Sequence, residues 1–154
     1  MASAEPPPPD PPHEAVPVDL RDYIEFDPDR PFGRRVFTTD VLAIDVVCLE
    51  PDQHIGAREF AGADLVYTVL GGRAWIVTAE SEVTLGPLQA LLVPAGVVHG
   101  LRNDGADPLI LQAAASPPDE LPPTQEGPVR RPVRRGSAKP TALDRARRLL
   151  GGAD

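Results

Sequence analysis

The segment LVPAGVVHGLRN, residues 92–103, contains a histidine in a setting where an imidazole could do chemistry. Pro94 and Gly96 mark a tight turn, because proline presets its backbone angle and glycine tolerates a positive φ. Beyond the turn, the two-residue period of a strand places His99 on one face with the apolar residues two before and two after it. The imidazole is therefore either a ligand-binding group or a core histidine that bonds to nearby backbone. The segment alone leaves both open.

An arginine upstream could face the same interior. Strand alternation puts Gly56, Arg58 and Phe60 on one face of their segment. A buried guanidinium is unfavourable unless it is paired. Either Asp64 or another protein carboxylate neutralises Arg58, or the cavity binds an anionic ligand through the planar guanidinium fork. We assign no catalytic residue, and the predicted ligand-binding residues are Arg58, Phe60, Asp64, Leu65, Tyr67, Trp75 and His99.

Eight short apolar runs must position these side chains. Turn sequences such as EPDQ, AGAD, GG and NDGADP separate the runs, and no helical period lies between them. The 154 residues include 20 prolines and 13 glycines, whereas only 5% are aromatic. This composition favours short strands and turns over long helices. The sequence predicts an all-β sandwich or barrel.

Segments rich in proline flank the predicted domain. Residues 1–17 contain seven prolines and are expected to form a disordered, partly polyproline-II arm. The β domain is expected over 18–118 and a Pro- and Arg-rich linker over 119–140. Residues 141–150 predict a short amphipathic basic helix, with Thr141 as its N-cap.

Charge is divided unevenly along the chain, and this bears on the expected partners. The net charge is −8, but residues 126–154 hold eight basic and three acidic side chains, so the remainder carries −13. An acidic body repels duplex phosphates, which restricts any nucleic-acid contact to the basic tail. Cys48 has no second cysteine to pair with and is expected to be a buried thiol. The sequence shows neither a secretory signal nor an apolar run of about eighteen residues. We therefore expect a cytoplasmic protein that does not contact a membrane.

Two stretches resemble the motifs of the cupin family, which are small double-stranded β-helix barrels. The second cupin motif ends in P-x-G-x-x-H-x-x-x-N, and Pro94, Gly96, His99 and Asn103 stand at that spacing. The first motif combines two histidines, a glutamate and a closing glycine, and the stretch Pro51 to Gly72 resembles its frame. The resemblance implies a jelly-roll barrel of the cupin type, with the flanking arm and helix outside it.

The metal ligands that this resemblance implies are largely exchanged. Many cupins hold a divalent metal with the two histidines and the glutamate of the first motif and the histidine of the second. Arg58 and Phe60 occupy the two histidine positions here. Leu65 occupies the glutamate position, or Asp64 if the frame is shifted by one residue. His99 is the one ligand position retained with its usual residue.

These exchanges predict a barrel without a competent metal centre. A divalent ion needs at least three converging protein ligands. Arginine repels a cation, and phenylalanine has no lone pair to donate. The alternative is a divalent metal held by His99 with His54 and Glu59, which would require an irregular strand register. We expect no cofactor.

These features lead us to expect a metal-free cupin that binds a small anionic molecule, such as a carboxylate or a phosphate compound, in a binding or regulatory role. One alternative is a dioxygenase- or isomerase-like cupin enzyme in which His99 acts with non-standard partners. Another is a dimeric scaffold that contacts partners through its tails. Because cupins often dimerise through sheet edges, the resemblance also implies a homodimer. The residues favour binding over catalysis.

Overall fold

The structure, a computed structural model, describes residues 15–118, 121 and 124–129. The expectations for most of the N-terminal arm, for the larger part of the linker and for the helix over 141–150 concern residues outside this described part. Within it, no helix is long and apolar enough to span a membrane.

Ten strands and one short 3₁₀ helix, Leu20–Tyr23, make up the regular structure of the described residues. The strands are β1 (Phe32–Thr38), β2 (Ala43–Leu49), β3 (His54–Arg58), β4 (Asp64–Gly71), β5 (Ala74–Thr78), β6 (Glu82–Leu85), β7 (Ala90–Val93), β8 (His99–Arg102), β9 (Leu109–Ser116) and β10 (Gln125–Glu126). Each of the eight predicted apolar runs overlaps one of these strands. β3 and β10 were not among those runs, because β3 is short and mostly exposed and β10 has two residues.

The strands form two facing sheets. The larger has six strands in the order β10-β1-β2-β9-β4-β7, and the smaller has four in the order β3-β8-β5-β6. Neighbouring strands are antiparallel, apart from β1 and β10, which run parallel. Since β3 and β4 lie in different sheets, as do β7 and β8, the chain crosses repeatedly between the sheets. This is a jelly-roll arrangement, and the all-β prediction is confirmed.

One apolar core lies between the sheets. Alternate residues of β4 and β9 point into it, as the period of a strand requires. The larger sheet contributes Leu49, Leu65, Tyr67, Val69, Leu109 and Leu111, and the smaller sheet Ala74, Ile76, Leu85 and Leu101.

A second apolar cluster covers the outer face of the larger sheet. Tyr23, from the 3₁₀ helix, packs there against Val46 and Cys48 of β2. Cys48 is a free, buried thiol, as predicted. Burial raises the pKa of its thiol to about 11, so the group stays protonated and unreactive at neutral pH.

The described part of the predicted linker packs on the domain and extends it beyond the expected boundary at residue 118. β10 pairs with Arg34 and Arg35 of β1. The amide of Gly127 then donates to the Arg35 carbonyl over 3.2 Å, and the Gly127 carbonyl accepts from Arg34 Nη1 over 3.1 Å. These bonds hold residues 124–129 along the edge of the larger sheet.

The turn between β4 and β5 requires glycine at position 72. Gly72 has a φ of 82°. A Cβ there would lie 2.3 Å from the carbonyl oxygen of Pro108 and 2.9 Å from Leu109 Cα. The closing glycine of the first motif is Gly72, or Gly71 if the frame is shifted by one residue. A side chain has room at position 71 but not at position 72.

We predict that Gly72→Ala destabilises the fold far more than Gly96→Ala. Gly96 has nearly the same φ, 83°, but a Cβ at that position would meet nothing within 4 Å. It carries only the left-handed backbone penalty, about 1–2 kcal/mol. Gly72→Ala adds a backbone collision and should cost about 3 kcal/mol or more. Urea unfolding of the two variants measures the difference, and equal losses would contradict the steric argument.

Candidate functional site

A break in the pairing of β3 with β8 turns Arg58 into the barrel. Ile55 pairs with Leu101 and Arg58 pairs with His99, so two residues of β3 lie opposite Gly100 alone. This two-against-one arrangement is a β-bulge, which shifts the alternation of the strand by one residue. As a result, Arg58 and His99 are direct cross-strand neighbours.

The bulge corrects one expectation about which residues share a face. Ile55 packs on the core and Arg58 is partly buried, whereas Gly56 and Ala57 between them are exposed. Gly56 therefore does not share the face of Arg58. The absence of a side chain at Gly100 makes room for the bulge, because a Cβ there would lie 3.2 Å from the Ile55 carbonyl oxygen.

Arg58, Tyr67 and His99 form one hydrogen-bonded chain. Arg58 Nη2 donates to Tyr67 Oη over 2.7 Å, and Tyr67 Oη lies 2.8 Å from His99 Nε2. His99 Nδ1 lies 3.2 Å from the carbonyl oxygen of Val97, which can only accept. With the imidazole neutral, its hydrogen is on Nδ1, Nε2 accepts from the tyrosine hydroxyl, and the tyrosine oxygen accepts from Arg58. Each of these three hydrogen bonds then has one donor and one acceptor.

The burial of His99 and Tyr67 favours the protonation states that the hydrogen-bonded chain requires. Burial lowers the pKa of His99 below its ordinary 6.5, and the charge of Arg58 acts in the same direction, while the Val97 carbonyl opposes both. Burial also raises the pKa of Tyr67, against a smaller opposing effect of Arg58. A neutral imidazole and a protonated phenol are both stable at neutral pH.

Aromatic rings lie around the Arg58 cation, and no carboxylate of a described residue forms an ion pair with it. Its Cζ lies 5.1 Å from the ring centroid of Phe60, within the range of cation–π attraction. The Phe60 and His99 ring centroids are 6.1 Å apart, and those of Tyr67 and His99 are 5.4 Å apart and edge-on. The structure thus brings together four of the predicted residues, Arg58, Phe60, Tyr67 and His99.

Asp64, the carboxylate expected to neutralise Arg58, bonds to the backbone instead. Asp64 is exposed, and its Oδ1 accepts from the Ala95 amide over 2.9 Å, which ties β4 to the turn before β8. Among the ion pairs of the described residues, none involves Arg58. Leu65, at the glutamate position of the motif, is a core residue that is 1% exposed.

Trp75 does not line the barrel interior, contrary to the sequence-based expectation. Its neighbour Ile76 points into the core, so strand alternation sends Trp75 to the outer face of the smaller sheet. It lines a shallow outer groove of about 410 Å³ together with His54 and Arg102.

A cavity of about 320 Å³ opens beside Arg58, between β1, β2, β3 and the C-terminal segment. Its polar lining comes from Asp45, His54, Arg58 and Thr124, and the rest is mostly aliphatic. Arg58 Nε and Thr124 Oγ1 are the two buried side-chain polar atoms of the described residues that have no hydrogen-bond partner. Both atoms belong to residues that line the cavity.

Sequence reasoning missed Asp45 and Thr124. Asp45 is 3% exposed and pairs with Arg35, whose Nη2 lies 3.3 Å from Asp45 Oδ2. The aspartate inside the apolar run VLAIDVVCLE could have indicated a role for Asp45. Thr124 lies in a proline-rich stretch without periodicity and gave no such signal. The described residues contain no group of three or more His, Cys, Asp or Glu side chains that could hold a metal ion.

We predict that Tyr67→Phe lowers the free energy of unfolding by about 1–3 kcal/mol, because it leaves buried polar atoms of Arg58 and His99 without a partner. Tyr23→Phe is the matched control, since Tyr23 is also buried but its hydroxyl makes no hydrogen bond with a described residue. Urea unfolding of both variants gives the comparison. Similar losses in the two would show that the central hydroxyl does not organise the chain.

The lowered pKa of His99 predicts a pH-dependent contribution to stability. Below about pH 6.5 the unfolded chain takes up a proton at this position while the folded protein still excludes it. His99 therefore contributes stability that is present above pH 6.5 and is lost as the pH falls towards its folded pKa. Urea unfolding near pH 7.5 and near pH 5.5 should show a steeper decline for the wild type than for His99→Gln. Parallel declines would show that His99 has an ordinary pKa.

Comparison with known proteins agrees with this architecture. No protein-family model and no curated protein matches the chain. Solved structures do match, among them TT1209 from Thermus thermophilus, at 31% identity and a TM-score of 0.62. That match covers 65% of this chain and 95% of TT1209.

Two further structures name the fold. A conserved protein with a double-stranded β-helix domain from Klebsiella pneumoniae matches at 22% identity and a TM-score of 0.64, over 68% of this chain and 86% of its own. A cupin superfamily protein from Desulfitobacterium hafniense matches at 21% identity and a TM-score of 0.56, over 68% of this chain and 92% of its own. With the two facing sheets and the motif spacing around His99, these matches show that the chain belongs to the cupin structural family.

Proposed function

We propose that this cupin binds a small anionic molecule in the cavity beside Arg58, without a metal ion. The observation that carries the proposal is the state of the Arg58 guanidinium. It is partly buried, and among the described residues it forms no ion pair with a carboxylate and its buried Nε has no hydrogen-bond partner.

A cation in this position favours an anionic ligand. Removing a guanidinium from water is unfavourable unless its charge and its donors are compensated. Tyr67 accepts one hydrogen bond and Phe60 offers its ring face, but neither carries a negative charge. A carboxylate or phosphate in the cavity would supply both the charge and the missing acceptor.

The donor set supports a site that works without metal. The imidazole nitrogen His99 Nε2, at the retained ligand position of the family, already accepts a hydrogen bond from Tyr67. The same tyrosine oxygen accepts a hydrogen bond from the Arg58 guanidinium. A fixed cation therefore lies next to the place where a metal would have to bind. Arginine cannot be deprotonated to relieve that repulsion. These residues do not fit a divalent ion.

The surroundings of His99 favour binding over catalysis. The imidazole is 1% exposed, both of its nitrogens have partners, and it does not line the cavity. A general acid or base must come within hydrogen-bond reach of the substrate proton. His99 instead positions Tyr67, which positions Arg58.

A panel of small anions tests the proposal. Acetate, isovalerate, benzoate, inorganic phosphate and phosphoenolpyruvate would be titrated by thermal shift and calorimetry in buffer containing EDTA. We expect at least one anion to bind saturably, and Arg58→Leu to weaken its binding by about 10- to 100-fold, because a charge-assisted hydrogen bond is lost.

The control variant is Arg73→Leu, which removes an exposed arginine that pairs with Asp104 far from the cavity lining. It should change the affinity by less than about twofold, since exposed charges are screened. Proposed binding fails if no anion of the panel binds, if Arg58→Leu binds as well as the wild type, or if an anion binds only when EDTA is left out of the buffer.

A further inference from the structure

Two residues that line the cavity, each with a buried polar atom that has no partner among the described residues, specify the ligand more closely. Resting on the function proposed above, we infer that the ligand is a small aliphatic monocarboxylate, held between Arg58 of β3 and Thr124 of the C-terminal segment. Arg58 Nε and Thr124 Oγ1 are both buried and unsatisfied, and both residues line the same cavity. Each can donate one hydrogen bond, and a carboxylate presents two acceptor oxygens.

Thr124 is held firmly enough to act as a binding group. It directly precedes β10, whose residues pair with Arg34 and Arg35 of β1. The backbone bond from Gly127 to Arg35 anchors the other end of that short strand. The hydroxyl is therefore carried by a segment fixed to the barrel. It comes from a part of the chain outside the β domain expected from the sequence.

The charges around the cavity favour a monoanion over a phosphate dianion. The lining contains one arginine and one carboxylate, Arg58 and Asp45, besides the exposed imidazole of His54. Asp45 is already neutralised by Arg35. One unit of positive charge thus remains uncompensated at Arg58, and a single carboxylate balances it. A second negative charge would have no further arginine or lysine among the described lining residues to balance it.

The remaining walls favour an aliphatic body for the ligand. They include Val47, Ile55, Ala113 and Leu121, and no aromatic side chain. The volume of about 320 Å³ lies at the small end of the range for ligand pockets. A short branched acid fits both features, whereas a nucleotide or a large aromatic acid does not.

The chemical class of the ligand is tested with three probes: isovalerate, its neutral analogue isovaleramide, and inorganic phosphate. Calorimetry at about pH 8 keeps isovalerate a monoanion and phosphate largely a dianion. We expect isovalerate to bind at least about tenfold more tightly than either of the others, because only it offers one charge, two acceptors and an aliphatic body.

Thr124→Val tests the second anchor separately from the fold. The hydroxyl has no partner among the described residues, so its removal should leave the melting temperature unchanged or slightly higher. Isovalerate binding should weaken by about three- to tenfold, since one hydrogen bond to the ligand is lost. Thr84→Val, at an exposed position of β6, should change neither quantity.

The outcomes separate this inference from the proposed function. Tighter binding of phosphate than of isovalerate, with loss in Arg58→Leu, would overturn the carboxylate class but leave anion binding in place. Equal binding of isovaleramide would overturn the role of charge. Unchanged affinity in Thr124→Val would remove Thr124 from the site. If none of the probes and no anion of the wider panel binds, both the inference and the proposed function fail.

Discussion

Inside the barrel, the hydroxyl of Tyr67 lies between a cation and an imidazole, 2.7 Å from Arg58 Nη2 and 2.8 Å from His99 Nε2. A phenol donates one hydrogen bond and also accepts, so it satisfies both neighbours at once. A carboxylate in its place would pair with the guanidinium but could not donate to a neutral imidazole. The carbonyl of Val97 fixes the direction of the whole chain, because it forces the hydrogen onto Nδ1. The orientation of Arg58 depends on these three bonds.

This arrangement keeps a positive charge inside a cupin barrel by other means. In the many cupins that hold a divalent metal with the full ligand set, the metal supplies that charge. Here the guanidinium of Arg58 is a direct cross-strand neighbour of His99, the one retained ligand position. The ring face of Phe60 and the oxygen of Tyr67 stabilise the cation without neutralising it. A guanidinium presents its charge together with a planar set of hydrogen-bond donors that match a carboxylate or a phosphate.

Local sequence signals predicted most of the elements and the main members of the site. Alternating apolar residues and turn-forming sequences are short-range properties, so eight of the ten strands could be found from them. Residue chemistry was equally direct: an arginine and a phenylalanine at ligand positions indicated an altered centre around Arg58, Phe60, Tyr67 and His99. Alternation defines two faces of a strand but not which face is buried. Trp75 was assigned to the wrong face for this reason.

The sequence by itself determined the fold class, eight of the ten described strands and the side-chain types at positions 58 and 99, because these follow from spacing and side-chain type. Only the tertiary structure decided how the site is completed. The bulge in β3 depends on its pairing with β8, where Gly100 leaves room for the extra residue. Asp45 is neutralised across the β1–β2 pairing, and Thr124 reaches the cavity because β10 joins the edge of β1. Each of these contacts joins residues through strand register, which no local pattern encodes.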